Sequence, residues 1–164
     1  MKIGTMLRMG VICALALSLG AQGRVQAQES WHGSGSALSI PRSALMQPGQ
    51  LNMMLAARDA GKPLVLQVGS HLLFQEAHIS GAEYAGPASQ DSGLGELRAR
   101  VAPLPRSSPI VIYCGCCPWN RCPNIAPAYK LLRDMGFIRL KVLYLANNFG
   151  ADWVDKGFPV ERGE

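Results

Sequence analysis

At 164 residues, the chain is long enough for one domain with a real core, and nothing in it marks a repeat or a second domain. It carries 16 Lys and Arg against 11 Asp and Glu, but Lys2, Arg8 and Arg24 lie in residues 1–27 with no acid beside them. The remainder therefore holds 13 bases against 11 acids, about +2, which excludes a polybasic nucleic-acid or membrane-surface protein.

The first segment has the pattern of a cleavable secretory signal: a basic start, an apolar run from Met9 to Gly20, and a small-residue boundary at Val25-Gln26-Ala27. The run is roughly 11–13 residues, short of the ~20 that span a bilayer as a helix. Cys13 lies inside it, behind a bulky Ile12 that does not suit lipid attachment, and goes with the discarded piece. Cleavage after residue 27 implies a periplasmic or secreted protein with no stable membrane anchor. Residues 28–36, polar and glycine-rich, predict a flexible lead-in, with Trp31 and His32 as tail residues; residues 37–164 form the domain.

Within the domain, strand and helix signals alternate. Ala37 to Ile40 predicts a short first strand. Leu51 to Ala60 has apolar residues at helical spacing and stops at Gly61, with Met53 and Met54 as packing residues. Pro63 to Val68 is a short β-branched run ending at Gly69, the sign of a buried strand. Leu72 to Glu76 predicts one helical turn, with His71 just ahead of it, and Ala82 to Tyr84 an extended piece. Leu94 to Val101 predicts a helix, broken by Pro103 and Pro105. Pro109 to Tyr113 is the clearest buried strand. Ile125 to Met135 predicts an amphipathic helix, with Ala128, Leu131, Leu132 and Met135 on one face, Asn124 as N-cap and Gly136 as stop. Lys141 to Leu145 predicts a strand and Asp152 to Lys156 a last short helix, with Trp153 and Phe158 in the core. Short apolar strands alternating with helices imply an α/β fold, a mostly parallel sheet of about five strands covered on both faces. Ligand sites in such sheets lie beyond the carboxyl ends of the strands.

Cys114, Cys116, Cys117 and Cys122 begin where the Pro109–Tyr113 strand ends. Disulfide staples gain most by closing long loops, and four thiols within nine residues tie no distant parts together. The cluster serves local chemistry, metal binding or a small loop clamp. A strand-to-helix loop offers backbone N–H groups to an anion, and Arg121 adds a cation; both depress a thiol pKa and make a nucleophile.

The run Val111-Ile112-Tyr113-Cys114, followed by a loop and the helix Leu131-Leu132-Arg133-Asp134-Met135-Gly136-Phe137, resembles the active-site segment of rhodanese-like domains. Three more stretches resemble the family in order. Lys62 to Gly69 stands at the early strand, and Ala77-His78-Ile79-Ser80-Gly81-Ala82 at the Gly-His-Ile-Pro-Gly-Ala turn. Leu143-Tyr144-Leu145 with Asp152 to Val160 stands at the closing strand, Trp helix and Gly-Tyr-Pro-Val end. Gln67 and Gly69 replace the Asp and Arg of the early signature, and the loop is longer than the family's and richer in thiols. The resemblance implies a rhodanese-like fold, a sulfurtransferase or sulfur-relay activity with thiosulfate or polysulfide as donor, and a persulfide on Cys114. It places Gly115, Cys116, Cys117, Trp119, Asn120 and Arg121 around the sulfur. Cys116, Cys117 and Cys122 are candidates to resolve the persulfide or exchange disulfides.

No cofactor is implied. The partners expected are a small sulfur compound or a thiol-bearing acceptor protein, with the domain as a monomer. The alternative reading is a non-enzymatic thiol–disulfide or metal-binding module on the same fold, with Cys114, Cys116, Cys117 and Cys122 as ligands. In that reading copper(I), which accepts two or three thiolates, suits a single short loop better than zinc. His78 is expected to be structural.

Overall fold

The computed structural model describes residues 40–57 and 61–163. The expected signal, the lead-in, Ala37 to Ser39 of the expected first strand and the Arg58–Ala60 end of the first helix lie outside them. Ile40 is in no strand, and the first strand is instead β1, Leu45–Met46. Next in the chain are α1 (Pro48–Ala56), β2 (Leu64–Gln67), α2 (His71–Glu76), β3 (His78–Ile79), β4 (Glu83–Tyr84), α3 (Asp91–Val101) and β5 (Ile110–Tyr113). The chain continues through α4 (Ile125–Asp134), β6 (Leu140–Leu143), α5 (Phe149–Asp152) and β7 (Val160–Glu161). Single 3₁₀ turns lie at Arg42–Ala44, Trp119–Arg121 and Val154–Lys156. The last helix expected from the sequence is thus α5 and a 3₁₀ turn, separated by Trp153.

β1, β6, β5, β2 and β4 form one sheet in that order, every pairing parallel. β3 and β7 make a separate antiparallel pair. The sequence did not mark β1 or β3, because two-residue strands show no periodicity. β5 is central and buried along its whole length. Its side chains alternate between the faces, as a pleated strand requires.

Ile110, Ile112 and Cys114 join the core that α3 and α4 cover through Leu97, Val101, Ala128, Leu131 and Leu132. Val111 and Tyr113 join the opposite core, filled by Leu51 of α1, Phe74 of α2, and Trp153. Helices therefore cover both faces, and the α/β expectation holds in the all-parallel form. Burial of each large apolar side chain removes about 1.5–3 kcal/mol of exposed surface cost, which fixes the register of β5 and hence the face on which Cys114 stands.

Met53 and Met54 do not pack. α1 turns Leu51 inward, and residues two and three positions on lie away from the core; both methionines are exposed. Trp153 is fully buried, and its indole Nε1 donates to the Pro159 carbonyl at 3.0 Å, with Phe158 set edge-on at 5.0 Å.

Candidate functional site

β5 delivers Cys114 at its carboxyl end, on the α3/α4 face and only 4% exposed. Gly115 then turns the chain at φ +79°, a left-handed conformation that costs a side-chain-bearing residue about 1–2 kcal/mol. A Cβ there would also meet Phe149 at 2.9 Å. The loop is pinned from the β6 side, where the Gly115 carbonyl accepts from Phe149 N–H at 3.1 Å and Trp119 N–H donates to the Ala146 carbonyl at 3.2 Å. The Trp119 ring packs against Tyr144 at 5.1 Å, so this residue anchors the loop to the domain. The 3₁₀ turn at Trp119–Arg121 folds the chain back and returns Cys122 to the start of the loop.

The result is a convergence of sulfur. The Sγ atoms of Cys114, Cys116, Cys117 and Cys122 all lie within 4.8 Å of one another, and all four are free thiols. Cys114 Sγ is 3.0 Å from Cys116 Sγ, which is 3.2 Å from Cys117 Sγ. Cys116 is exposed, and Cys117 and Cys122 are half-buried. Asn120 and Arg121 are exposed at the end of the turn. Cys114 is the deepest sulfur, and the others form a rim between it and solvent.

The rim polarises the deep sulfur. A hydrogen bond from the Cys122 thiol, outweighing the cost of burial and helped by Cys116 and Asn124, lowers the Cys114 thiol to about 6. Burial, with the proton held toward Cys114, pushes the Cys116 thiol up. The same hydrogen bond to Cys114 pushes Cys122 up. The arrangement is one thiolate solvated by neighbouring thiols.

Two residues outside the expected set complete the site. Asn124 occupies the N-cap position of α4, as expected, but its side chain does not cap the helix. Its Nδ2 donates to Cys114 Sγ at 3.3 Å, while its Oδ1 accepts from Ser89 N–H at 2.8 Å. Gln67, buried at the end of β2, donates to the Cys114 carbonyl at 3.2 Å and accepts from Gly69 N–H at 3.1 Å. Gly69 faces the sulfur: a Cβ there would lie 2.9 Å from the Cys114 carbonyl and 3.0 Å from its Sγ. The sequence marked Asn124 only as a helix N-cap and Gln67 only as a departure from the family's early signature, and neither signal pointed to the sulfur. His78 is structural as expected, buried, bonded through Nδ1 to the Phe74 carbonyl at 2.8 Å and stacked on the Phe74 ring at 3.8 Å. His71 is exposed, and its ring rests on Tyr84 at 4.5 Å.

Solved structures share this arrangement of strands. The rhodanese-like domain of the Alr3790 protein from Anabaena sp. is similar at a TM-score of 0.54 and 22% identity, over 73% of this chain and 79% of that one. The chain has a rhodanese-like fold. A crystal structure of the Alr3790 protein is similar to the rhodanese-like chain at a TM-score of 0.54 and 23% identity, over 72% of this chain and 92% of that one. The BH2092 protein from Bacillus halodurans is similar at 0.57 and 21%, over 73% and 77%. No protein-family model and no curated protein matches the sequence. The rhodanese-like fold fixes where the loop stands; its chemistry has to be argued from the thiols.

Proposed function

We propose that this rhodanese-like domain is a sulfurtransferase or sulfur-relay protein that carries sulfane sulfur on Cys114. The observation that carries the reading is the position of Cys114. It is the one deeply buried thiol among the described residues, at the carboxyl end of the central parallel strand, with a second thiol 3.0 Å from its sulfur. Its lowered pKa supports the same reading, because the thiolate is the nucleophile.

With thiosulfate as donor, the Cys114 thiolate attacks the outer sulfur. The S–S bond of thiosulfate breaks, sulfite leaves with the bonding pair, and Cys114 becomes a persulfide. An acceptor thiolate, on a small molecule or a partner protein, then takes the outer sulfur and returns Cys114 as thiolate. Asn124 Nδ2 and the Cys122 thiol donate to Cys114 Sγ and so support its thiolate, the form that attacks and the form that is returned.

The neighbouring thiol provides a second exit. The Cys116 thiol gives its proton to the outer sulfur of the Cys114 persulfide and attacks the inner sulfur; the outer sulfur leaves as hydrosulfide, and a Cys114–Cys116 disulfide forms. The two electrons that reduce the sulfur come from the Cys114 and Cys116 thiol pair, and an external thiol must reduce the disulfide before the next turnover. The basic, apolar N-terminal segment supports action outside the cytoplasm, in a periplasmic or secreted setting.

Intact-mass spectrometry tests the reading. Reduced protein exposed to thiosulfate or a polysulfide should gain about one sulfur mass, and Cys114→Ser should gain none. No gain with any donor, while the thiols still alkylate freely, would overturn it. Cys116→Ser combined with Cys117→Ser should prolong the persulfide several-fold, and unchanged decay would remove the second exit.

A further inference from the structure

The four sulfurs are closer together than persulfide chemistry alone requires. One nucleophile and one resolving thiol would suffice, yet Cys117 and Cys122 converge on the same point. We propose that Cys114, Cys116, Cys117 and Cys122 form a mononuclear four-thiolate zinc(II) site, and that the zinc-loaded loop is closed to sulfur transfer. Only the second half rests on the sulfur-transfer reading.

Four sulfurs bound tetrahedrally at about 2.3 Å from zinc stand ~3.8 Å apart. The sulfurs here lie between 3.0 Å, for Cys114–Cys116, and 4.8 Å, the widest separation in the group. Shifts of less than about an ångström would bring them to that spacing. A cavity of about 10 Å³ lies among Cys114, Cys117 and Cys122 and is otherwise walled by Gly115, Trp119, Ile125, Leu143 and Leu145. It borders three of the four sulfurs, Cys116 lying outside its lining, and is at or below what an ordered water needs, about 10–15 Å³.

The donor set selects the ion. The cluster is all sulfur, with no carboxylate or imidazole in it, which favours a thiophilic ion over calcium, magnesium or manganese. Four converging donors favour zinc over copper(I), which two or three thiolates satisfy. The single loop supplies the whole set because the 3₁₀ turn at Trp119–Arg121 brings Cys122 back, a fold-back that the spacing in the sequence did not reveal. Asn124, donating to Cys114 Sγ at 3.3 Å, stands as an outer partner of a metal-bound thiolate.

Binding displaces the remaining thiol protons and leaves zinc unchanged in oxidation state. The Cys114 lone pair that would attack a sulfur donor is then engaged with the ion. Sulfur uptake and zinc binding become mutually exclusive uses of one loop.

The test uses the full chain, reduced and handled without oxygen, with zinc(II) or cobalt(II) as the probe. One ion per chain is expected by native mass spectrometry. Cys114, Cys116, Cys117 and Cys122 should resist iodoacetamide until a chelator is added. The cobalt form should show the thiolate-to-metal absorption of four sulfur donors. Protection of two thiols or fewer, or no uptake at one ion per chain, would overturn the site. Cys117→Ser and Cys122→Ser should each weaken binding by more than the roughly 10–100-fold that loss of an outer contact produces. If either variant fails to fold, the thiol count of the unaltered chain decides. Sulfur uptake by chelated protein that binds no ion would overturn this inference alone. Zinc uptake by protein whose Cys114 takes no sulfur when metal-free would leave the site standing and overturn the transfer reading.

Discussion

β2 and β5 lie side by side, paired from Leu64 with Ile110 to Gln67 with Tyr113, and end at the same level. Beyond that level the two connections are unlike. After β2 the chain passes through Val68, Gly69 and Ser70 and enters α2 at once, with no nucleophile poised among them. After β5 it runs from Cys114 to Asn124 before α4 begins, and carries every thiol of the site. The short loop makes room and the long one fills it. Gly69, with no Cβ, lets the Cys114 carbonyl and sulfur approach its backbone more closely than any side chain would allow, and Gln67 holds the Cys114 carbonyl in place. Cys114 is thus positioned by a neighbouring strand end that contributes no thiol.

The comparison breaks most readily at the short loop. Gly69→Ala places a methyl 2.9 Å from the Cys114 carbonyl and 3.0 Å from its sulfur, both tighter than packing allows. Overpacking of this kind costs about 1–3 kcal/mol, measurable by denaturant unfolding. Sulfur uptake at Cys114 should fall further than stability does. If Gly69→Ala takes up sulfur normally, the short loop has no part in the site.

Asn124→Ala sharpens the other side. It removes the donor to Cys114 Sγ and the acceptor for Ser89 N–H, at a cost of about 1–3 kcal/mol. It should also move the Cys114 titration upward, since that donor stabilises the thiolate. Alkylation of Cys114 against pH, located by peptide mass, reads this directly. In reduced, chelator-treated protein the rate should rise through a midpoint of about 6, because the thiolate is the reacting form and its proton is lost there. Cys122→Ser, which replaces the thiol donor that lowers Cys114 most with a hydroxyl that can still donate, should shift the midpoint up by a smaller amount. A midpoint near the ordinary thiol value in the unaltered chain would mean that the rim does not polarise the deep sulfur.

Much of this was legible in the sequence. The strand read over Pro109 to Tyr113 is β5 but for its first residue, and the helix read over Ile125 to Met135 is α4 but for its last. Both are long or regular enough for burial to leave a pattern. The β1 and β3 strands are too short for that, and their pairing is settled by partners far along the chain. Cys114 was visible because it ends the strongest strand. Asn124 was visible as a residue but not as a donor to sulfur, because an asparagine that caps a helix and one that turns away from it look alike in sequence. The convergence of the four thiols was hidden for a similar reason. Their spacing limits how far apart they can be, while the turn at Trp119–Arg121 decides that they meet.

The crowding of those thiols into nine residues also sets a race during folding. Segments of that length close on themselves in about 10–100 ns, whereas a parallel pairing such as Leu64 with Ile110 joins positions far apart in the chain and forms late. The sulfurs therefore meet one another long before β2 and β5 build a pocket around Cys114. A disulfide itself takes seconds to hours to form, so in an oxidising medium it is a chain delayed short of its sheet whose thiols pair by proximity rather than by the fold. A chain that reaches its sheet with Cys114 in such a bond has no free thiol at the end of β5, and sulfur uptake there requires that the loop stay reduced until the sheet has closed behind it.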